Sequence, residues 1–199
     1  MHFLTPFFVK LEVDLHELAL PGALFALPVS KPKDRYPATM PPFVPSDFCV
    51  PDTLATSEFR LRMLTVNDVV KDYDAVMSSV EHCRTIWGGK WPEGLTLEQN
   101  LIDLGWHQKE FQIRRSFAYT VVAPDESMVL GCVYLLPASK AGYDAEVFLW
   151  IRQSHLQSGM EDRLFDAVRQ WVAADWPFKA VAYPGRSISL ADWKNLSSL

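Results

Sequence analysis

Three runs of apolar and β-branched residues, Phe117–Val122, Val129–Leu136 and Ala145–Arg152, follow one another through short polar connections. The first connection carries Pro124-Asp125-Glu126-Ser127, a turn signal. Three strands joined in this way form a meander, which a doubly wound fold, alternating strand and helix throughout, does not contain. The chain then changes habit. A helical pattern covers Met160 to Asp175, and a short strand covers Lys179–Tyr183. Ala145–Tyr183 therefore reads as a βαβ unit, whose parallel crossover should be right-handed. An anion can sit at its opening, on the free N–H groups of the helix start.

Upstream, Phe59–Leu64 reads as a strand, and Thr65 or Asn67 can cap a helix running to Ser79. Gly88-Gly89-Lys90-Trp91-Pro92 is a loop. Thr96 with Gln99 three residues on resembles a capping box opening a helix to Phe111. A last helix is expected near Leu190–Leu196. The order β-αα-βββ-α-β-α describes a mixed α/β domain over residues 53–199.

Residues 1–52 are built differently, since nine of the fourteen prolines fall there. Val9, Leu11, Val13 and Leu15 alternate with charged or polar neighbours, the period of a half-buried strand over Phe8–Leu15. From Pro21 to Pro51 the prolines exclude a helix or a central strand, which leaves a wrapping arm. Leu24, Phe25, Phe43 and Phe48 give that arm something to pack with.

Hydrophobic residues make up 49% and charged ones 22% of the 199, the balance of a globular chain. The net charge of -5 argues against nucleic acid as the main partner, because phosphate binding needs a basic face. No apolar run reaches the roughly 18 residues that span a bilayer. The opening residues lack the basic segment of a secretory leader. Cys49, Cys83 and Cys132 are widely spaced and read as reduced thiols of a cytoplasmic protein. The five histidines show no metal spacing, so no metal is expected.

Over residues 53–196 the chain resembles the GCN5-related N-acetyltransferase (GNAT) superfamily. In that family an apolar strand residue is followed, after four intervening positions, by Q/R-x-x-G-x-G/A entering a helix. Here Ile151 takes the apolar place, Leu156 the Gln/Arg place, Gly159 the first glycine and Glu161 the second. Leu164 and Phe165 continue the apolar pair on the helix. Thr53–Asp68 resembles the family's first strand and helix start, and Val129–Val133 with Gly131 its third strand. The resemblance implies a twisted mixed sheet flanked by helices. It implies acetyl-CoA as co-substrate, with Ile151, Ser158, Gly159 and Met160 at the cofactor. Two departures stand in the loop. Glu161 puts a carboxylate beside an anionic ligand, unless it merely favours the helix dipole. Leu156 cannot donate a side-chain hydrogen bond.

Acetyl transfer to an amine needs a base for the amine's proton and an acid for the departing thiolate. Glu146, early on the third strand of the meander, is the candidate base, with Asp144 behind it. The alternative is a strand-end glutamate paired with Arg152 or solvated. Glu146 shares a strand face with Phe148, Trp150 and Arg152. With Arg186 and Ser189 aligned to the family's Asn-x-x-Ala/Ser, Trp193 falls where relatives carry the acid tyrosine, and tryptophan cannot protonate a thiolate. Tyr183 and Tyr143 are substitutes, or packed core rings. His155 can reach the cofactor's phosphates or lie at the surface. Trp87 and Trp91 can wall an acceptor pocket or simply pack. Cys83 and Cys132 have no activating partner.

The expectation is therefore an acyl-CoA-dependent N-acetyltransferase acting by direct transfer on a small-molecule or protein amine. The alternative is a non-catalytic module of the same fold that binds a ligand or partner. The resemblance also implies two further strands after the final helix, where the family's Gly-Phe is here Ser197-Ser198. The N-terminal segment is expected to replace them, pairing near Lys179–Tyr183; the alternatives are that the arm packs elsewhere or that a homodimer partner covers that edge.

Overall fold

The computed structural model describes residues 43–87 and 90–198. They belong to one compact unit, Pro42–Leu199. The strand expected at Phe8–Leu15, the arm from Pro21 to Pro42, and Leu24 and Phe25 lie outside the described residues.

The elements run β1 Thr53–Ala55, β2 Arg60–Met63, a 3-10 turn Val66–Asp68, α1 Val69–Met77, α2 Val80–Trp87 and α3 Leu97–Gln112. They continue β3 Phe117–Val122, β4 Val129–Pro137, β5 Ala145–Ile151, a 3-10 segment Gln153–Ser158, α4 Met160–Asp175, β6 Val181–Ala182 and α5 Leu190–Asn195. One six-stranded sheet in the order β1-β2-β3-β4-β5-β6 carries them. All its pairings are antiparallel except the last, β5 with β6.

The meander and the parallel crossover stand as the sequence predicts, for the reasons given there. Gly131 shows how tightly β4 and β5 are zipped. A Cβ built there would lie 2.0 Å from the Trp150 carbonyl oxygen. Only glycine fits.

Two layers cover the sheet. On one face lies α4, whose Leu164, Val168, Trp171 and Val172 form a single buried stripe at helical spacing. The strand residues of that face include Leu61, Tyr119, Val133, Val147, Leu149 and Ile151. The opposite face packs Leu64, Ala118, Cys132 and Trp150 against Ala75, Val76, Cys83 and Leu104 of the three earlier helices. The strand parity of β5 is thus realised.

Differences from expectation are local. The helix expected to stop at Ser79 is followed at once by a second one, α2. Ser78 and Ser79 make the corner: the Ser78 hydroxyl donates to Ala75 O, and the buried Ser79 hydroxyl accepts from Gln153 N–H at 3.0 Å. The strand expected over Lys179–Tyr183 shortens to two residues. Thr65 does begin the helical segment, with the Asp68 carboxylate accepting from its N–H at 3.0 Å. Thr96 and Gln99 form the reciprocal capping box.

The described end of the arm packs on the α4 face. Phe43 stacks 5.7 Å from Phe117 and 4.8 Å from Phe178, Val44 is fully buried, and Phe48 meets Trp176. Arg114 donates to the carbonyls of Pro45 and Phe48, and the Tyr119 hydroxyl to Pro51 O.

Candidate functional site

Pairing of β5 with β6 stops after Ala145↔Val181 and Glu146↔Ala182. From Val147 onward β5 has no partner on that side among the described residues, so the two strands open into a cleft. A cavity of about 220 Å³ occupies it, lined by Phe148 and Leu149 of β5, His82 of α2, Glu161 of α4, and Gly185 and Arg186 after β6. This is the splayed parallel pair that the crossover predicts.

The loop before α4 is anchored by apolar contacts at both of its ends. The chain leaves β5 at Ile151, whose side chain is fully buried in the core. Leu156 and Met160 pack partly into that same core. This explains the departure at Leu156, which anchors the loop by apolar contact. Gly159 adopts φ 69°, a left-handed conformation, and immediately precedes α4. No side chain caps α4, whose first-turn N–H groups lack intrahelical partners.

Not all the backbone amides of Ser158, Gly159 and Met160 are open to a ligand. Gly159 N–H already donates to Leu156 O at 3.1 Å, closing the 3-10 turn. The Ser158 hydroxyl turns back to His155 O, and the Ser158 carbonyl accepts from Arg163 at 2.8 Å.

Glu146 sits at the last paired position before the strands part, the apex of the cleft. Its side chain is 5% exposed and does not line the cavity, although Phe148 on the same strand face does. Its Oε2 accepts from the Ser139 hydroxyl at 2.8 Å and from Ser139 N–H at 3.2 Å. Burial pushes its carboxyl above the usual range, with the Ser139 bonds pulling the other way. The pairing of Glu146 with Arg152 does not form. Arg152 instead reaches the opposite end of the strand, donating to Val129 O, Ser78 and Asp74. Asp144 accepts the N–H groups of Lys179 and Ala180, a structural role at the start of β6.

The other candidates sort by environment. Tyr183 packs edge-on against Phe165 and Tyr143 against Trp193, and neither lines the cavity. His155 lies on the 3-10 segment, its Nδ1 3.0 Å from the Ser154 hydroxyl. Trp87 stands behind the cavity wall, 5.3 Å from Phe148 and 5.8 Å from Tyr134. Cys83 and Cys132 are buried, and burial pushes the Cys83 thiol up to about 12, so it is a poor nucleophile. Ser197 and Ser198 close back on the β4–β5 connection through a bridge between Lys140 and Ser198. Among the described residues no cluster of three metal-ligating side chains occurs, and no helix is long and apolar enough to cross a membrane.

Sequence reasoning missed His82 entirely and took Arg186 only as an alignment position. Both hold Glu161: His82 Nε2 lies 2.9 Å from Oε1, and Arg186 Nη2 lies 2.7 Å from Oε2. Burial pushes the Glu161 carboxyl up, but these two partners outweigh it and hold it below the usual range. No local pattern signals a pairing between residues so far apart in the chain.

No protein-family profile matches this sequence, and no curated protein matches it. Its fold has clear counterparts among solved structures. The ribosomal-protein-S5-alanine acetyltransferase from Vibrio fischeri superposes with a TM-score of 0.50 at 16% identity, covering 60% of this chain and 66% of that one. The microcin C7 self-immunity acetyltransferase MccE, solved with acetyl-CoA and AMP, gives 0.53 at 10% identity, covering 64% of this chain and 69% of that one. The chain spans just under two thirds of the length of the first of these. At such identities the likeness is one of fold.

Proposed function

We propose that this chain, which has the GCN5-related N-acetyltransferase fold, binds acetyl-CoA in the β5–β6 cleft and transfers the acetyl group to an amine. The observation that carries this reading is the parallel pair that stops at Glu146↔Ala182 and opens over a cavity with the first turn of α4 on its wall. An unpaired strand edge accepts an extended, amide-bearing chain by strand addition. The edge of β5 from Val147 to Ile151 offers this to the pantetheine arm. Ser158, Gly159 and Met160 shape the turn under the phosphates, where the uncapped N–H groups of α4 favour negative charge.

When bound, acetyl-CoA supplies the activated acetyl thioester. Glu146 serves as the base that takes the amine's proton. The burial that makes its carboxylate more basic than an exposed one supports this, and since it does not line the cavity, it takes the proton from the apex through a water. The amine attacks directly: the two buried thiols are poorly ionised, and neither they nor the exposed Cys49 line the cavity. The acceptor is a small-molecule or protein amine, and three unpaired cysteines fit a cytoplasmic setting.

Calorimetric titration with acetyl-CoA and CoA, followed by amine-dependent CoA release over a panel of amines, tests the reading. Binding of both is expected, with turnover in Glu146→Gln lower on the order of 100-fold at unchanged acetyl-CoA affinity. Failure of either nucleotide to bind would overturn it. Equal turnover in Glu146→Gln would return that residue to a structural role.

A further inference from the structure

The most polar wall of the cleft is made by three side chains that the reading above leaves without a role. Glu161 lies in the first turn of α4 with only 14% of its side chain exposed, His82 comes from α2, and Arg186 from the turn after β6. All three line the cavity, and one carboxylate joins them. His82 Nε2–H must donate to Oε1, since an ionised carboxylate only accepts, and Arg186 donates to Oε2.

Two oxygens sharing one negative charge are also what a phosphoryl group presents to such donors. We propose that Arg186 and His82 form an oxyanion subsite at the cleft that Glu161 fills from within. A phosphate of the incoming ligand then binds by displacing this carboxylate. The proposal deepens the acyl-CoA reading and rests on it.

The geometry distinguishes receptor from plug. Arg186 is presented by a pinned turn: Gly185 has φ 80° and donates its N–H to Ile188 O at 2.7 Å, while Arg186 N–H donates to Tyr183 O at 3.1 Å. Glu161 instead reaches the cavity by a flexible side chain and can swing toward solvent without moving α4. The neighbouring Asp162, 84% exposed and 3.8 Å from Arg186 Nη1, is a weaker second competitor. The exchange replaces one anion by another, so the half-buried guanidinium keeps a partner in both states. Glu161 therefore lowers the affinity of the site for anions while keeping the empty cleft ordered.

The test uses inorganic pyrophosphate and, separately, CoA as titrants against the full chain and its variants. Glu161→Gln removes the competing charge and keeps the side chain's shape. It should bind pyrophosphate roughly tenfold or more tightly than the parent, and adding Arg186→Gln should abolish that gain. Should Glu161→Gln not fold, Glu161→Asp asks the same question. Its shorter side chain cannot bridge both partners, and a smaller gain in the same direction is expected. Unchanged or weaker pyrophosphate binding in a folded Glu161 variant overturns the proposal, as does a gain that survives loss of Arg186. The two readings fail separately. Acetyl-CoA turnover by the parent with no Glu161 effect on pyrophosphate sinks the subsite alone. A pyrophosphate gain with no CoA binding in any variant sinks the acyl-CoA reading.

Discussion

The two faces of the sheet are buried by different chemistry. Under α4 the core is almost entirely apolar and aromatic, with Tyr119, Trp171 and Trp176 in mutual edge-on contact. Its Tyr119 hydroxyl is satisfied by Pro51 O. Under α1–α3 the core includes Asp68, Asp72, Asn100, Ser79 and Thr120, all buried. Asp68 takes a bidentate grip from Arg62 at 2.7 and 3.0 Å, and Asp72 accepts from Asn100 at 2.9 Å. Polar contacts of this kind are directional, so they position elements more than they add stability. The α4 face holds the sheet together. The opposite face aims α2, and with it His82, at the cleft. Arg152 contributes to this by tying the end of β5 to Ser78 and Asp74 at the α1–α2 corner.

The largest expected effect probes the apolar face. Trp171→Ala removes a side chain that is 5% exposed and in contact with two aromatic neighbours. Urea denaturation should show a loss of about 3–5 kcal/mol. A loss below about 1 kcal/mol would mean that this face is not the main source of stability.

A smaller effect, opposite in sign, is expected across the sheet. Burial pushes the Asp72 carboxyl from its ordinary 3.8 up to about 6. The folded state thus prefers the protonated acid. The stability Asp72 contributes is fully present below its unfolded pKa and is lost as pH rises through about 6. Ionised Asp72 then costs at most about 3 kcal/mol. Asp72→Asn should therefore raise Tm relative to the parent at pH 8, with the gap closing toward pH 4. A gap independent of pH would show that the carboxyl does not titrate in this range.

Smallest of all is the surface. Glu58 and Arg163 form an ion pair at 2.7 Å, well exposed on both sides. Glu58→Gln should leave Tm unchanged within measurement, since solvent screens such pairs. A clear drop would mean that the pair braces the loop before α4.

Much of this architecture is legible in order along the chain. The meander follows from strand runs with turn-length connections, α4 from its apolar stripe after Gly159, and α3 from Thr96 and Gln99. The break between α1 and α2 is not legible, because Ser78 and Ser79 act through partners near β5. The site was half readable. Glu146 and the Gly159 loop lie on local patterns, and the structure puts the first at the apex of the cleft and the second at the start of α4.

What the sequence determined alone is whatever depends on short range: strand parity, helix periodicity, a reciprocal cap, a glycine where φ is positive. These are set by neighbours within a turn or two. What only the tertiary structure decided is which charges meet. Glu161 reads from the sequence as a helix-dipole acid or an obstacle to an anionic ligand. In the fold it is a carboxylate held between Arg186 and His82. The reason is physical: a carboxylate's state is fixed by the donors and solvent around it, and the chain brings those together only once the sheet has closed.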